Sequence, residues 1–304
     1  MKLNGGVIPV MLVAYGKDGK IDLGAQSALL DWYESRGVHG LFSLCQSTEM
    51  YWLSEDEKVE IAKLVYKKLG GKMPIVSSGI TSQNVDEQIE QAKRIYSYGS
   101  DAMVFIRNGL GESEDDFKRN LEKICRELPK DMDLGIYECP YPHWQHLTDG
   151  EFEALIKTDR FRFIKDTVCD VAAMKRRYEI NQKNGGKVGL YNANCATFLD
   201  TLRFGYDGFS GVMANFHPEL YVWMYEHKDD PRSDIIDAYA GLMSVIETRS
   251  YPICCKRYLA KYEGLPFTDF CRSKKDETKP AVMKELEDLY KLTLIARDVA
   301  EIKV

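Results

Sequence analysis

A (β/α)8 barrel with a C-terminal helical extension is the α/β fold that the sequence predicts, on three observations. Eight short β-branched or aromatic runs recur, each about 7–10 residues long and mostly continuous in apolar content, as strands covered on both faces are. Amphipathic segments at helical spacing separate them, at about 25–30 residues per unit. After residue 228 the runs stop, and the remaining chain is helical in pattern. A doubly wound open sheet is the alternative, and the even spacing favours closure.

The runs, in order, are GVIPVMLVAY from Gly6, GLFSLCQST from Gly40, PIVSSGI from Pro74, DAMVFIRN from Asp101, DLGIYECP from Asp133, FRFIKDT from Phe161, KVGLYNA from Lys187 and GFSGVMAN from Gly208. Between them, Leu29, Leu30, Trp32 and Tyr33 share one helical face, and Val59, Ile61, Ala62 and Val65 share the next. Ile89, Ala92 and Tyr96 repeat the pattern, as do Phe117, Leu121 and Ile124. Ser54 with Glu57 reads as a capping box, and Ser82 and Asp149 are expected to open their own helices. The barrel is assigned to residues 1–228 and the helical extension to 229–304, with helices over Ile235–Thr248, Ile253–Tyr262 and Ala281–Ile302. The charge run Ser273-Lys274-Lys275-Asp276-Glu277 reads as a solvated loop.

Composition narrows the function. With 304 residues and 44% apolar content the chain is long enough to bury a core without staples. Lys+Arg 41 against Asp+Glu 47 leaves −6, which argues against nucleic-acid and anionic-membrane partners. The 8 cysteines include no C-x-x-C pair and read as free thiols, which places the protein in the cytoplasm. The apolar stretch from Val7 to Val13 reads as a strand and not as a signal peptide, and no run approaches the ~18 residues of a membrane span.

In such a barrel the chemistry sits at the C-terminal ends of the strands. That rule selects Gln46, Ser47 and Thr48 after the second run, Arg107 after the fourth, Tyr137 at the end of the fifth, Lys165 in the sixth, Asn192 in the seventh and Asn215 after the eighth. Alternation places Phe161, Phe163 and Lys165 on one face. A lysine among apolar neighbours loses solvation of its ammonium, and its free amine becomes a nucleophile towards carbonyls. Snorkelling to the rim, or a pair with Asp166, is the bland reading. Tyr137 is a phenol able to relay protons, or an aromatic cap on the core. Arg107 suits a substrate carboxylate or a rim salt bridge. His143, Trp144 and His146 follow the fifth run; with His217 they invite a metal reading, but carboxylates at metal-site spacing are missing and no metal site is assigned. His143 is instead expected to shape the pocket.

Several segments then align with a known family. Asp18-Gly19-Lys20-Ile21-Asp22 is similar to its D-G-x-I-D segment, and Gln46-Ser47-Thr48-Glu49 with Leu53-Ser54 and Glu57-Lys58 to its G-[ST]-T-G-E block. Tyr137-Glu138-Cys139-Pro140 stands where the family has Y-N-x-P, Ile164-Lys165-Asp166 where it has G-[IL]-K-[DE], Gly205 to Gly208 with Asn215 at its G-A-D-G…N stretch, and Tyr251-Pro252-Ile253 with Lys256 at N-P-I-P-x-K. The chain thus resembles the dihydrodipicolinate synthase/N-acetylneuraminate lyase family of class I aldolases over nearly its full length.

The resemblance implies a TIM barrel plus C-terminal helices, commonly a homotetramer. It implies an imine between Lys165 and a 2-keto acid such as pyruvate, with no separate cofactor. Tyr137 would be the proton shuttle, and the loop after the second strand the carboxylate holder. The second partner would be an aldehyde or a sugar acid, as in 2-keto-3-deoxy sugar acid aldolases and dehydratases; a barrel altered towards sensing or assembly is the alternative. The departures are specific. Gln46 and Ser47 occupy the place of the family's paired hydroxyls, Arg107-Asn108-Gly109-Leu110 stands in place of its T-P-Y-Y, and the synthases' arginine two residues past the proline has no counterpart.

Overall fold

The structure, a computed structural model, describes residues 3–303. Its 8 strands lie parallel in the order β1-β8-β7-β6-β5-β4-β3-β2. They are β1 (Gly6–Val7), β2 (Leu41–Ser43), β3 (Ile75–Ser77), β4 (Ala102–Ile106), β5 (Asp133–Tyr137), β6 (Phe161–Asp166), β7 (Gly189–Asn192) and β8 (Gly208–Phe209). The sheet closes where Val10 bridges Phe42, with Phe42 N–H donating to the Pro9 carbonyl at 2.9 Å and Met11 N–H to that of Phe42 at 2.9 Å.

Helices α1 (Leu23–Ser35), α2 (Glu55–Leu69), α3 (Val85–Tyr96), α4 (Glu114–Glu127), α5 (Asp149–Lys157), α6 (Val171–Lys183), α7 (Phe198–Phe204) and α8 (Pro218–Glu226) alternate with the strands. The extension adds α9 (Pro231–Met243), α10 (Ile253–Tyr262) and α11 (Pro280–Ala300). α11 packs on α8, α9 and α10, and the largest buried apolar cluster runs through barrel and extension alike.

The strands are shorter than the runs that announced them. Pro9 has no N–H to extend the β1 ladder. After four of the other strands the sequence bends into 3₁₀ turns: Gln46–Thr48 and Met50–Trp52 after β2, Arg107–Gly109 after β4, Cys195–Thr197 after β7 and Val212–Asn215 after β8. The apolar character there serves the barrel's mouth and not the sheet.

Ser54 and Glu57 form the expected reciprocal cap on α2. The other two starts are displaced by one or two residues. Asn84 caps α3, while Ser82 donates its hydroxyl to Glu87 at 2.6 Å. Thr148, with Glu151, boxes the start of α5, so Asp149 is its first helical residue.

Inside the barrel Phe42, Phe163 and Tyr191 interlock, with ring centres 5.6 Å and 4.8 Å apart. Phe161 is not among them. The β5–β6 register slips between Leu134 and Gly135, which moves Phe161 into the cluster that the helices line and breaks the alternation expected for residues 161, 163 and 165. Beyond the slip Tyr137 lies opposite Lys165. Among the described residues no helix is long and apolar enough to cross a membrane.

Candidate active site

A cavity of about 340 Å³ opens at the C-terminal mouth of the barrel, and Lys165, Tyr137, Gln46 and Ser47 share its wall. The Lys165 ammonium position is 4.4 Å from the centre of the Tyr137 ring. Lys165 is 4% exposed. Burial holds its pKa below the usual lysine range, against the pull of Cys45, Cys139 and Glu247.

Asp166 is not its partner. Its carboxylate accepts from Arg177 at 2.5 Å and from the Tyr206 hydroxyl at 2.7 Å. Arg177 also holds Glu138 at 2.8 Å, so the residues that follow Tyr137 and precede the β6 turn are clamped by one guanidinium from α6. That clamp fixes the two strand ends carrying the candidate lysine and phenol.

Tyr137 donates to the Gln46 carbonyl oxygen at 3.3 Å. Burial, reinforced by Cys139 and Cys45, pushes its phenol well above the ordinary value. Ser47 accepts from Tyr251 at 2.8 Å, and Tyr251 in turn accepts from the Asn215 amide at 2.9 Å. Asn215 is anchored to the Val10 carbonyl at 2.8 Å and to the Tyr33 hydroxyl at 2.5 Å, so it supports the wall from behind.

Other expected site residues lie elsewhere. Thr48 donates to the Met11 carbonyl at 2.6 Å and accepts from Cys45 N–H at 3.2 Å; it pins the β2 loop and does not face the cavity. Arg107 is engaged in a buried ion pair and does not line the cavity. Its guanidinium grips Glu151 of α5 with two nitrogens, donates to the Gly111 carbonyl at 2.8 Å and lies 4.8 Å above the Phe117 ring. His143 points out, with its side chain 49% exposed and 3.8 Å from Glu112. Asn192 bonds Thr197 at 3.0 Å and Thr201 at 2.9 Å, bracing the β7 turn. His217 is buried against Tyr221 and Thr293, and it does not meet His143 or His146. Among the described residues no three His, Cys, Asp or Glu side chains stand at metal-binding spacing. All 8 cysteines are free.

Strand-end reasoning missed the far wall. Tyr251 and Pro252 reach the cavity from the start of α10, Ser273 and Lys274 from the loop before α11, and Trp52 and Tyr141 from the barrel loops. Part of the run expected to be a solvated loop is therefore fastened to the site. Glu49 accepts from Arg272 N–H and Ser273 N–H at 2.7 Å each, and pairs with buried Lys256 at 3.0 Å. The signal was Tyr251-Pro252-Ile253 with Lys256, noticed as a motif but not assigned to the pocket. A second, wider groove of about 940 Å³ runs along α10 and contains none of the strand-end residues.

Comparison with known proteins agrees with this geometry. The chain is 25% identical over 228 residues to the probable 2-dehydro-3-deoxy-D-pentonate aldolase YjhH of Escherichia coli, covering 74% of each chain. Two solved structures share the fold. YagE of E. coli, a prophage protein of the dihydrodipicolinic acid synthase family solved with pyruvate, superposes with a TM-score of 0.87 at 20% identity, over 96% of this chain and 99% of that one. A catalytic-lysine mutant of the sialic acid aldolase of Ruminococcus gnavus gives 0.86 at 19% identity, over 98% and 99%. The family model for dihydrodipicolinate synthetases matches residues 3–291, and the chain belongs to that family of lyases and aldolases.

Proposed function

We propose that the protein is a class I aldolase in which Lys165 forms a Schiff base with pyruvate or another 2-keto acid. The observation that carries this is a buried lysine without a carboxylate in ion-pair contact among the described residues, set beside a phenol at the bottom of a cavity. The neutral amine attacks the keto carbon, the carbinolamine loses water, and the iminium draws electrons from the neighbouring carbon for C–C bond formation or cleavage. Tyr137, oriented by its hydrogen bond to the Gln46 side-chain oxygen, gives protons to and takes them from the reacting oxygen. The Ser47 hydroxyl, the Gln46 side chain and the backbone N–H groups of Gln46 and Ser47 hold the keto acid's carboxylate.

The imine is the electron sink, so no separate cofactor enters this reading. The aldolase relative's name favours a 2-keto-3-deoxy sugar acid as the substrate class, with an aldehyde as the cleavage partner. We further assign the barrel to residues 1–228, the helical extension to 229–304, a homo-oligomeric state and a cytoplasmic location. Reduction with borohydride in the presence of pyruvate tests the reading. A stable adduct on Lys165, found by peptide mass, supports it; an unmodified lysine under saturating pyruvate refutes it.

A further inference from the structure

Among the described residues, two cationic side chains line the cavity, Lys165 and Lys274, and no carboxylate does. They stand at different depths. Lys165 is buried on β6, whereas Lys274 is exposed on the loop before α11. The rest of the wall includes Trp52, Tyr141, Val212 and Pro252, uncharged surfaces against which a carbon chain packs. The charge offered to the end of a substrate remote from Lys165 is therefore the Lys274 ammonium, with the Ser273 hydroxyl next to it in sequence.

The loop is pinned on both sides of Lys274. Glu49 accepts from Arg272 N–H and Ser273 N–H at 2.7 Å each, and the Arg272 guanidinium holds Glu57 at 2.6 Å. On the other side Arg257 grips Asp276 at 2.5 Å. Both anchors lead back to consecutive residues of α10, since Lys256 pairs with Glu49 at 3.0 Å. Lys274 itself makes no hydrogen bond or ion pair among the described residues. Its surroundings are unbalanced in the same sense. Lys274 also borders the groove along α10, where Lys17, Lys261 and Lys275 likewise have no ion pair among the described residues. The carboxylates of that groove, Asp269 and Asp276, are both held by Arg257, at 2.8 Å and 2.5 Å. On a chain of net charge −6 this is a local positive field beside the cavity, and such a field gathers anions.

We propose that Lys274 sets substrate choice by binding a carboxylate at the far end of the 2-keto acid, so that the preferred substrate is a 2-keto-3-deoxy sugar diacid. One carboxylate lies against Gln46 and Ser47, the keto carbon meets Lys165, and the terminal carboxylate meets the Lys274 ammonium and the Ser273 hydroxyl. A terminal alcohol leaves that ammonium without a counter-charge. A phosphate ester would also recruit backbone N–H groups, and the Ser273 N–H is already committed to Glu49. The inference rests on the Schiff-base reading and narrows its substrate class.

The test compares two 2-keto-3-deoxy acids of equal length, one ending in a carboxylate and one in a primary alcohol. Each is incubated with the full chain and quenched with borohydride, and peptide mass gives the concentration for half-maximal total adduct on Lys165. The unaltered protein half-saturates at about 10-fold lower concentration of the diacid, and the ratio shrinks at high salt. In Lys274→Met the two acids half-saturate within about twofold of each other, Lys274→Arg keeps the preference, and Lys274→Glu reverses it. The ratio within one protein is the readout, so a general loss of stability does not imitate it. Equal half-saturation in the unaltered protein, or a preference that survives Lys274→Met, overturns the proposal alone. So does an acid ending in phosphate that half-saturates below the diacid, or an adduct with pyruvate but with neither acid. An unmodified Lys165 under both acids and saturating pyruvate overturns the Schiff-base reading, and this proposal with it.

Discussion

Replacing Arg107 with methionine separates two roles that the sequence left open. The side chain and its partner are buried, 2% and 1% exposed, and two guanidinium nitrogens engage Glu151. Removing the cation leaves a carboxylate in the interior, and breaking a buried pair in this way costs about 3–5 kcal/mol. Methionine keeps part of the packing on Phe117 but forfeits the contact of charge with ring, about 2 kcal/mol when desolvated. The double variant Arg107→Met/Glu151→Leu removes both charges. It also removes the Glu151 side of the α5 capping box, worth about 1 kcal/mol. Its stability is therefore expected within about 1–2 kcal/mol of the parent, since an apolar pair replaces a buried ionic one at little cost. Urea unfolding at fixed protein concentration measures both, alongside KM for the keto acid. The single variant should lose stability with KM unchanged, and the double should recover. An Arg107→Met protein with an unaltered urea midpoint and a raised KM would refute the structural assignment and restore the carboxylate clamp.

Lys165→Ala is expected to abolish the borohydride-trapped adduct while leaving circular dichroism and the urea midpoint intact; a collapsed fold would mark the lysine as structural. Tyr137→Phe should lower kcat by about 10²–10⁴-fold with a smaller change in KM, and a raised KM with kcat unchanged would show that the phenol acts in binding. Tyr251→Phe removes the bonds to Ser47 and Asn215, costing about 1 kcal/mol and raising KM; a lower kcat at constant KM would contradict its placement in the carboxylate wall. His217, held neutral with its pKa lowered from 6.5 to about 3 by burial, binds fewer protons folded than unfolded in that interval. Its contribution is thus present above 6.5 and lost as pH falls towards 3, so His217→Gln should flatten the stability difference between pH 7 and pH 4 in urea titrations. An identical pH dependence in parent and variant would count against it.

Lys165 and Tyr137 were readable in the sequence because each sits at the end of a strand, and a barrel directs strand ends to one mouth. Arg107 obeys the same positional rule and still turns away. Its direction is decided by Glu151, 44 residues on, and the pairing of a buried charge with a distant carboxylate leaves no local pattern. Phe161 shows the limit of alternation: a slipped register between Leu134 and Gly135 puts it on a different face from Phe163, and nothing in FRFIKDT announces the slip. Tyr251 and Pro252 were out of reach for another reason. They come from the extension, and a rule about strands says nothing of helices folded over the strands' ends.

The tether from Glu49 to Lys256, Arg272 and Ser273 has a consequence for how such a protein diversifies. The groups proposed for bond making stand on the barrel, whereas Tyr251, Pro252, Ser273 and Lys274 stand on the extension and close over them. On the proposed reading the bond-making groups and part of the selectivity wall are encoded in different stretches of the gene, joined by ion pairs that include Glu49 with Lys256 and Glu57 with Arg272. Changes between residues 264 and 275 are placed to remodel the substrate's far end while Tyr251 keeps its bonds to Ser47 and Asn215. A graft of that stretch from a relative, with Lys256 and Glu49 left in place so that their pair survives, should shift substrate preference without re-engineering the lysine.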